Sequence, residues 1–110
     1  MLVRGEPEIM SLLAINTLGD GSLSLVGEVD AFTRSTFAAA LDELVTRGGD
    51  LHLYLGDLSF IDVGGATIIA TRALSLPPGR RVVLHDPPPE LRRLIDLMWA
   101  DHPGLEMDPR

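Results

Sequence analysis

There is no cysteine in this sequence and no lysine. Without cysteine, a disulfide framework and thiolate chemistry are excluded. Without lysine, nine arginines are the only strong cations against sixteen aspartates and glutamates, and the net charge is −7. That balance repels phosphate backbones and anionic lipid within a Debye length, so nucleic acid and membrane surfaces are poor candidate partners. No apolar run approaches the ~20 residues that span a bilayer. The opening MLVRGEPEIM has an arginine but no apolar core or small-residue cleavage site behind it. No secretory signal is therefore expected, and the cytoplasm is the expected location.

What is present is the composition of an ordinary globular domain: 110 residues, 45% hydrophobic and 23% charged. One domain is expected over residues 1–110, with its core from about 12 to 105, long enough to bury roughly two thirds of its unfolded surface. SLLAINTL and LSLVGEV flank a Gly-Asp-Gly, the pattern of a β-hairpin. From Phe32 the period changes. Phe37, Leu41, Leu44 and Val45 recur at helical spacing, with Arg34, Asp42, Glu43 and Arg47 on the other side. Asp30 or Thr33 is placed to cap this helix, and Gly48-Gly49 to end it with a left-handed backbone.

LHLYL, residues 51 to 55, predicts a buried strand that delivers the chain to GDLSFID. Beyond Gly64 and Gly65, the residues Ala66, Ile69, Ala70, Ala73 and Leu74 keep helical spacing up to Pro77-Pro78. RVVLH suits a half-buried strand, and PPPELRRLIDLMWA a helix opened by prolines with Leu91, Leu94, Ile95 and Met98 on one face. The tail HPGLEMDPR holds either one last extended piece or none. Strands alternating with helices after a hairpin imply an α/β fold. Its mixed sheet has four to five strands, starting antiparallel and continuing through βαβ crossovers.

Within this order, GEVDAFTRSTF follows the second strand and LHLYLGDLSFIDVGGA covers the third strand and its exit. Together they resemble the STAS domain of bacterial anti-sigma-factor antagonists, a resemblance that runs from about Leu12 to Leu105. Gly27, Glu28, Val29 and Asp30 match the family's Gly-Glu-Leu-Asp motif. Residues 53 to 66 align without a gap on its Leu-Asp-Leu-Ser and Phe-Ile-Asp-Ser-Ser-Gly-Leu pattern. The resemblance implies a protein-interaction module, not an enzyme. It would bind an anti-sigma factor or anti-sigma kinase through Asp30, Thr33, Asp62, Val63, Gly64, Gly65 and Thr67, and so control sigma-dependent transcription.

The departures bear on control. Val63 and Gly64 stand where the family has two serines, the second of them phosphorylated; Tyr54 and Gly56 replace its Asp and Ser, and Ala66 its Leu. Phosphoryl transfer needs a nucleophilic oxygen, and neither valine nor glycine has one. A phosphate there would bring about −1.5 to −2 charges beside Asp62, and one like-charge pair at ~4 Å costs about 4 kcal/mol at an effective dielectric near 20. Such repulsion switches a docked interface off, and this chain lacks the group that carries it. Thr67 and, more weakly, Ser59 are the alternative hydroxyls.

Each feature also has a structural reading. Gly64-Gly65 suits a tight turn needing permissive angles, and Asp62 a helix cap. What surrounds them is expected to be an uncovered corner with exposed helix-start amides. Neither G-x-G-x-x-G nor a P-loop is present, no histidine pattern suits a metal, and no cofactor is implied. Two other classes stay open: a small-molecule or nucleotide-sensing STAS domain, and a small hydrolase built on Asp62 or Asp30 with His85 or Asp86.

Overall fold

Gly19, Asp20 and Gly21 do close a hairpin: Leu18 and Ser22 pair across it, and the Asp20 carboxylate accepts the Ser22 amide at 3.0 Å. The structure, a computed structural model, describes residues 12–108. The hairpin joins β1 (Leu13–Thr17) to β2 (Leu23–Val29). There follow α1 (Arg34–Arg47), β3 (Leu51–Ile61), α2 (Val63–Leu74), β4 (Val82–His85), α3 (Pro89–Met98) and β5 (Leu105–Asp108). Ser11, where the first strand was expected to begin, lies outside the described residues.

The five strands lie in sequence order, β1 antiparallel to β2 and every later pair parallel. A parallel crossover is right-handed, and here three in succession each step to the next strand in the same direction. All three helices must then lie on one face. The core agrees: Phe37, Leu41 and Leu44 of α1, Ala66, Ile69 and Ala73 of α2, and Leu91 and Ile95 of α3 form a single cluster with Leu25, Leu53, Leu55 and Leu84 of the sheet. The opposite face carries Val26, His52, Tyr54 and His85 and, among the described residues, has no helix over it.

Of the boundaries that differ from the sequence expectation, three have a plain local reason. α1 begins at Arg34 and not Phe32, because the Asp30 carboxylate first accepts the Phe32 amide and the Asp30 carbonyl the Arg34 amide. β3 runs to eleven residues, through GDLSFI, because shifts in the β2–β3 register absorb the break in its alternation. α2 begins at Val63, so Gly64 and Gly65 are the first turn of a helix and neither has the positive φ of a tight turn. Gly48 does end α1 with φ +87°, and the last extended piece exists as β5.

Full burial of a large apolar side chain contributes about 1.5–3 kcal/mol, so the one-sided core dominates stability. Phe37→Ala is expected to cost about 3–5 kcal/mol in chemical denaturation, whereas Val26→Ala, on the bare face, should stay within about 0.5 kcal/mol.

Candidate functional site

Val29 and Ile61 are cross-strand partners at the carboxyl ends of β2 and β3. The two stretches singled out in the sequence, Asp30–Thr33 and Asp62–Thr67, therefore leave the sheet side by side, and the Asp62 amide donates to the Val29 carbonyl at 3.1 Å. This is the edge of a parallel sheet where binding groups collect. The first stretch is held by its own polar groups. Thr33 is buried; its hydroxyl donates to the Glu28 carbonyl at 2.7 Å and accepts from the Asp30 amide at 3.0 Å. Thr33 is the N-cap residue of α1, yet its side chain caps no helical amide, so its part is to set the loop.

Asp62 is the N-cap of α2. One carboxylate oxygen accepts the Gly65 amide at 2.8 Å, and the other accepts from Arg34 Nη2 at 2.8 Å. Arg34 was expected on the solvent side of α1; as the first residue of that helix it reaches instead across to the start of α2. Burial raises the Asp62 carboxyl, but the Gly65 amide and the Arg34 guanidinium outweigh it and hold the group below its ordinary value.

The glycines matter here for what they lack. A Cβ on Gly64 would stand 2.5 Å from Arg34 Nε and 2.6 Å from Cζ, so the guanidinium lies flat in the room a side chain would take. A Cβ on Gly65 would meet Ile61 and Val29 at 2.7 Å each. Gly65 thus serves helix-on-sheet contact, and Gly64 serves the arginine. The corner is not the bare ledge of amides expected from the sequence: Gly65 and Ala66 are buried, the Gly65 amide is capped, and Arg34 covers Gly64. What remains open is apolar. Phe32 is 70% exposed, Phe60 49% and Val63 53%, each within two residues of Arg34 or Asp62 in the chain.

A family model described as "Mlab, STAS domain" matches residues 16–107. The chain belongs to the STAS family. Among solved structures, this STAS domain is similar to an anti-sigma factor antagonist from Mycobacterium paratuberculosis, with a TM-score of 0.69 and 23% identity over 92% of this chain and 87% of that one. It is also similar to the anti-sigma factor antagonist SpoIIAA in its unphosphorylated form (TM-score 0.64, 19% identity, 87% and 86% of the two chains). The phosphorylated form of SpoIIAA, a Bacillus cell fate determinant, gives 0.63 at 19% identity over 87% and 90%. At these identities the likeness is one of fold. No curated protein matches the sequence.

The two hydroxyls weighed as substitutes for the missing serines are both engaged. Thr67 Oγ1 donates back to the Val63 carbonyl at 2.8 Å, and Ser59 Oγ to the Gly27 carbonyl at 2.9 Å. The groups a hydrolase would need are divided between networks: Asp62 with Arg34, and His85 with His52 and Asp108. Among the described residues no group of three or more acidic, histidine or cysteine side chains is arranged to hold a metal, and no helix is long and apolar enough to cross a membrane. Sequence reasoning missed Arg34, Phe32 and Phe60. No local sequence pattern pointed to Arg34, whose carboxylate partner lies twenty-eight positions away.

Two outcomes test this geometry. Gly64→Ser forces the guanidinium off Asp62 and is expected to cost about 1 kcal/mol; in an Arg34→Ala background the same change should cost less, with at least about 0.5 kcal/mol of coupling in a double-mutant cycle by urea denaturation. Asp62→Ala is expected to lower stability by about 1–2 kcal/mol at neutral pH. Because the folded carboxyl is depressed, its contribution is complete above the unfolded value of about 3.9 and is lost as pH falls through the folded one. The gap between native and Asp62→Ala denaturation curves should therefore narrow in acid.

Proposed function

We propose that this STAS domain is a protein-interaction module that binds an anti-sigma factor or anti-sigma kinase and so controls sigma-dependent transcription without touching DNA. The observation that carries the reading is the meeting of the Asp30–Thr33 loop and the start of α2 at one edge, bracketed by exposed Phe32, Phe60 and Val63. Interfaces take their energy from apolar anchors of this kind set around a few well-placed polar groups. Asp30, Asp62 and Gly64 form the ground between those anchors, with Thr33 and Gly65 beneath them and Thr67 one turn along α2.

Serine phosphorylation at the family position is not its control, since Val63 and Gly64 offer no oxygen. Partner abundance or a different partner takes that part. The net charge of −7 disfavours nucleic acid and anionic lipid as ligands. The nucleotide-sensing alternative gains nothing from the open cleft of about 630 Å³ beside α3 and β5, where Asp96, Asp101 and Glu106 outnumber Arg92 and repel a polyphosphate.

The reading is tested by titrating the purified chain, calorimetrically and with ATP present, against each anti-sigma factor encoded beside it. One of them should bind with 1:1 stoichiometry, and Phe32→Ala should weaken binding at least tenfold, about 1.4 kcal/mol. Intact-mass measurement should show no added phosphate. Failure of every candidate to bind sinks the reading, and phosphate on Thr67 or Ser59 sinks its account of control.

A further inference from the structure

A second constellation lies on the bare face of the sheet, apart from the docking edge. His52 of β3 and His85 of β4 meet there, His52 Nδ1 lying 2.8 Å from His85 Nε2 with ring centroids 5.1 Å apart. Tyr54 stacks on His85 at 4.3 Å, its ring within 11° of parallel. On the far side, His85 Nδ1 lies 3.4 Å from the Asp108 carboxylate of β5. With the His85 proton on Nδ1, the side that faces Asp108, Nε2 is left as a lone pair able to accept from His52 Nδ1–H.

The inter-ring bond exists only while one of the two facing nitrogens is unprotonated. When both rings are imidazolium, two N–H donors and two like charges face each other at a distance where only a donor and an acceptor fit. His85 keeps its place, because its charge improves the contact with Asp108 and with the face of Tyr54. His52 has somewhere else to go. It lines a small cleft of about 100 Å³ together with Asp20, Ser22, Arg47 and Asp50.

The charges around that cleft favour a cation. Asp20 is held below its ordinary value by hydrogen bonds from Ser22, and Asp50 by the Arg81 amide, so both stay carboxylates in mild acid. Arg47 opposes them, its guanidinium directed to the Gly21 carbonyl at 3.5 Å. Arg81 is divided between Asp50 and Glu106. Val83, flanked across the strands by His52 and Glu106, is only 4% exposed on a face that has no helix among the described residues.

We propose that His52 is a two-position acid switch. At neutral pH it bonds to His85 across β3 and β4; when both rings are protonated it turns into the cleft beside Asp20 and Asp50 and uncovers Val83. The switch is independent of any partner at the docking edge.

Nuclear magnetic resonance on the full chain tests it, with imidazole ¹⁵N shifts reporting protonation. At about pH 8, above the imidazole range, contacts between the His52 and His85 rings are expected. At a lower pH, where the ¹⁵N shifts report both imidazoles protonated, those contacts should vanish and new ones to Gly21 and Ser22 appear, while the Val83 methyls gain contact with water. His52→Gln, which keeps a donor but cannot be charged, should hold the neutral arrangement at both pH values. Ring contacts that persist with both imidazoles protonated overturn the proposal. So does a His52 ring that leaves His85 without reaching the turn, or the same acid response at Val83 in His52→Gln. Acid unfolding of the native chain but not of His52→Gln supports the switch; unfolding of both counts against it.

Discussion

The parallel pairing of β2 with β3, ending at Val29 and Ile61, is the constraint on which the rest of the molecule depends. Once those residues are partners, the loop into α1 and the start of α2 emerge together, and a short-range contact joins segments about thirty residues apart in the chain. Arg34 reaches Asp62 without an extended excursion because each stands at the first turn of its helix. The pairing also brings Val29 and Ile61 beneath Gly65 so closely that a side chain there would overlap both. Backbone topology thus sets the position of the corner, and the glycines set how tightly it closes.

The exchange at this corner is between a side chain and an ion pair. Where the resemblance to anti-sigma-factor antagonists places a serine, Gly64 offers its empty volume to the Arg34 guanidinium. A partly exposed arginine–aspartate pair contributes little stability by itself. Its local effect is larger, because the same carboxylate caps α2 and the same arginine covers Gly64. A corner held by an internal cation has a fixed charge, whereas one carrying a phosphorylatable hydroxyl has two charge states. The Arg34–Asp62 corner is of the first kind, since neither Val63 nor Gly64 carries a hydroxyl.

Much of the fold was legible because it rests on periodicity. Phe37, Leu41 and Leu44 were read as one buried face from spacing alone, and they are buried. The alternation of strands and helices implied the mixed sheet that is observed. Where the period breaks, legibility ended: GDLSFI read as an exit from a strand because a shifting register hides the alternation that continues through it. The glycines of DVGG were legible as special but not why, since a sequence does not distinguish a glycine needed for its angle from one needed for its missing Cβ. Arg34 was invisible for a related reason. Its role depends on a partner twenty-eight positions away and on an empty space at Gly64, and neither leaves a local pattern.

The one-directional succession of crossovers has a second consequence, on the face it leaves without helices. A half-covered sheet exposes polar and aromatic groups on adjacent strands at cross-strand distances, where they must satisfy one another or be satisfied by water. His52, Tyr54, His85 and Asp108 do the former, and their arrangement spans β3, β4 and the short edge strand β5. Four residues of three chemical types therefore meet for the same reason that Arg34 meets Asp62: sequential parallel strands align equivalent positions of distant segments. The helix-covered face converts that alignment into a core, the carboxyl edge into the Arg34–Asp62 corner, and the opposite face into a cluster of histidine, tyrosine and aspartate.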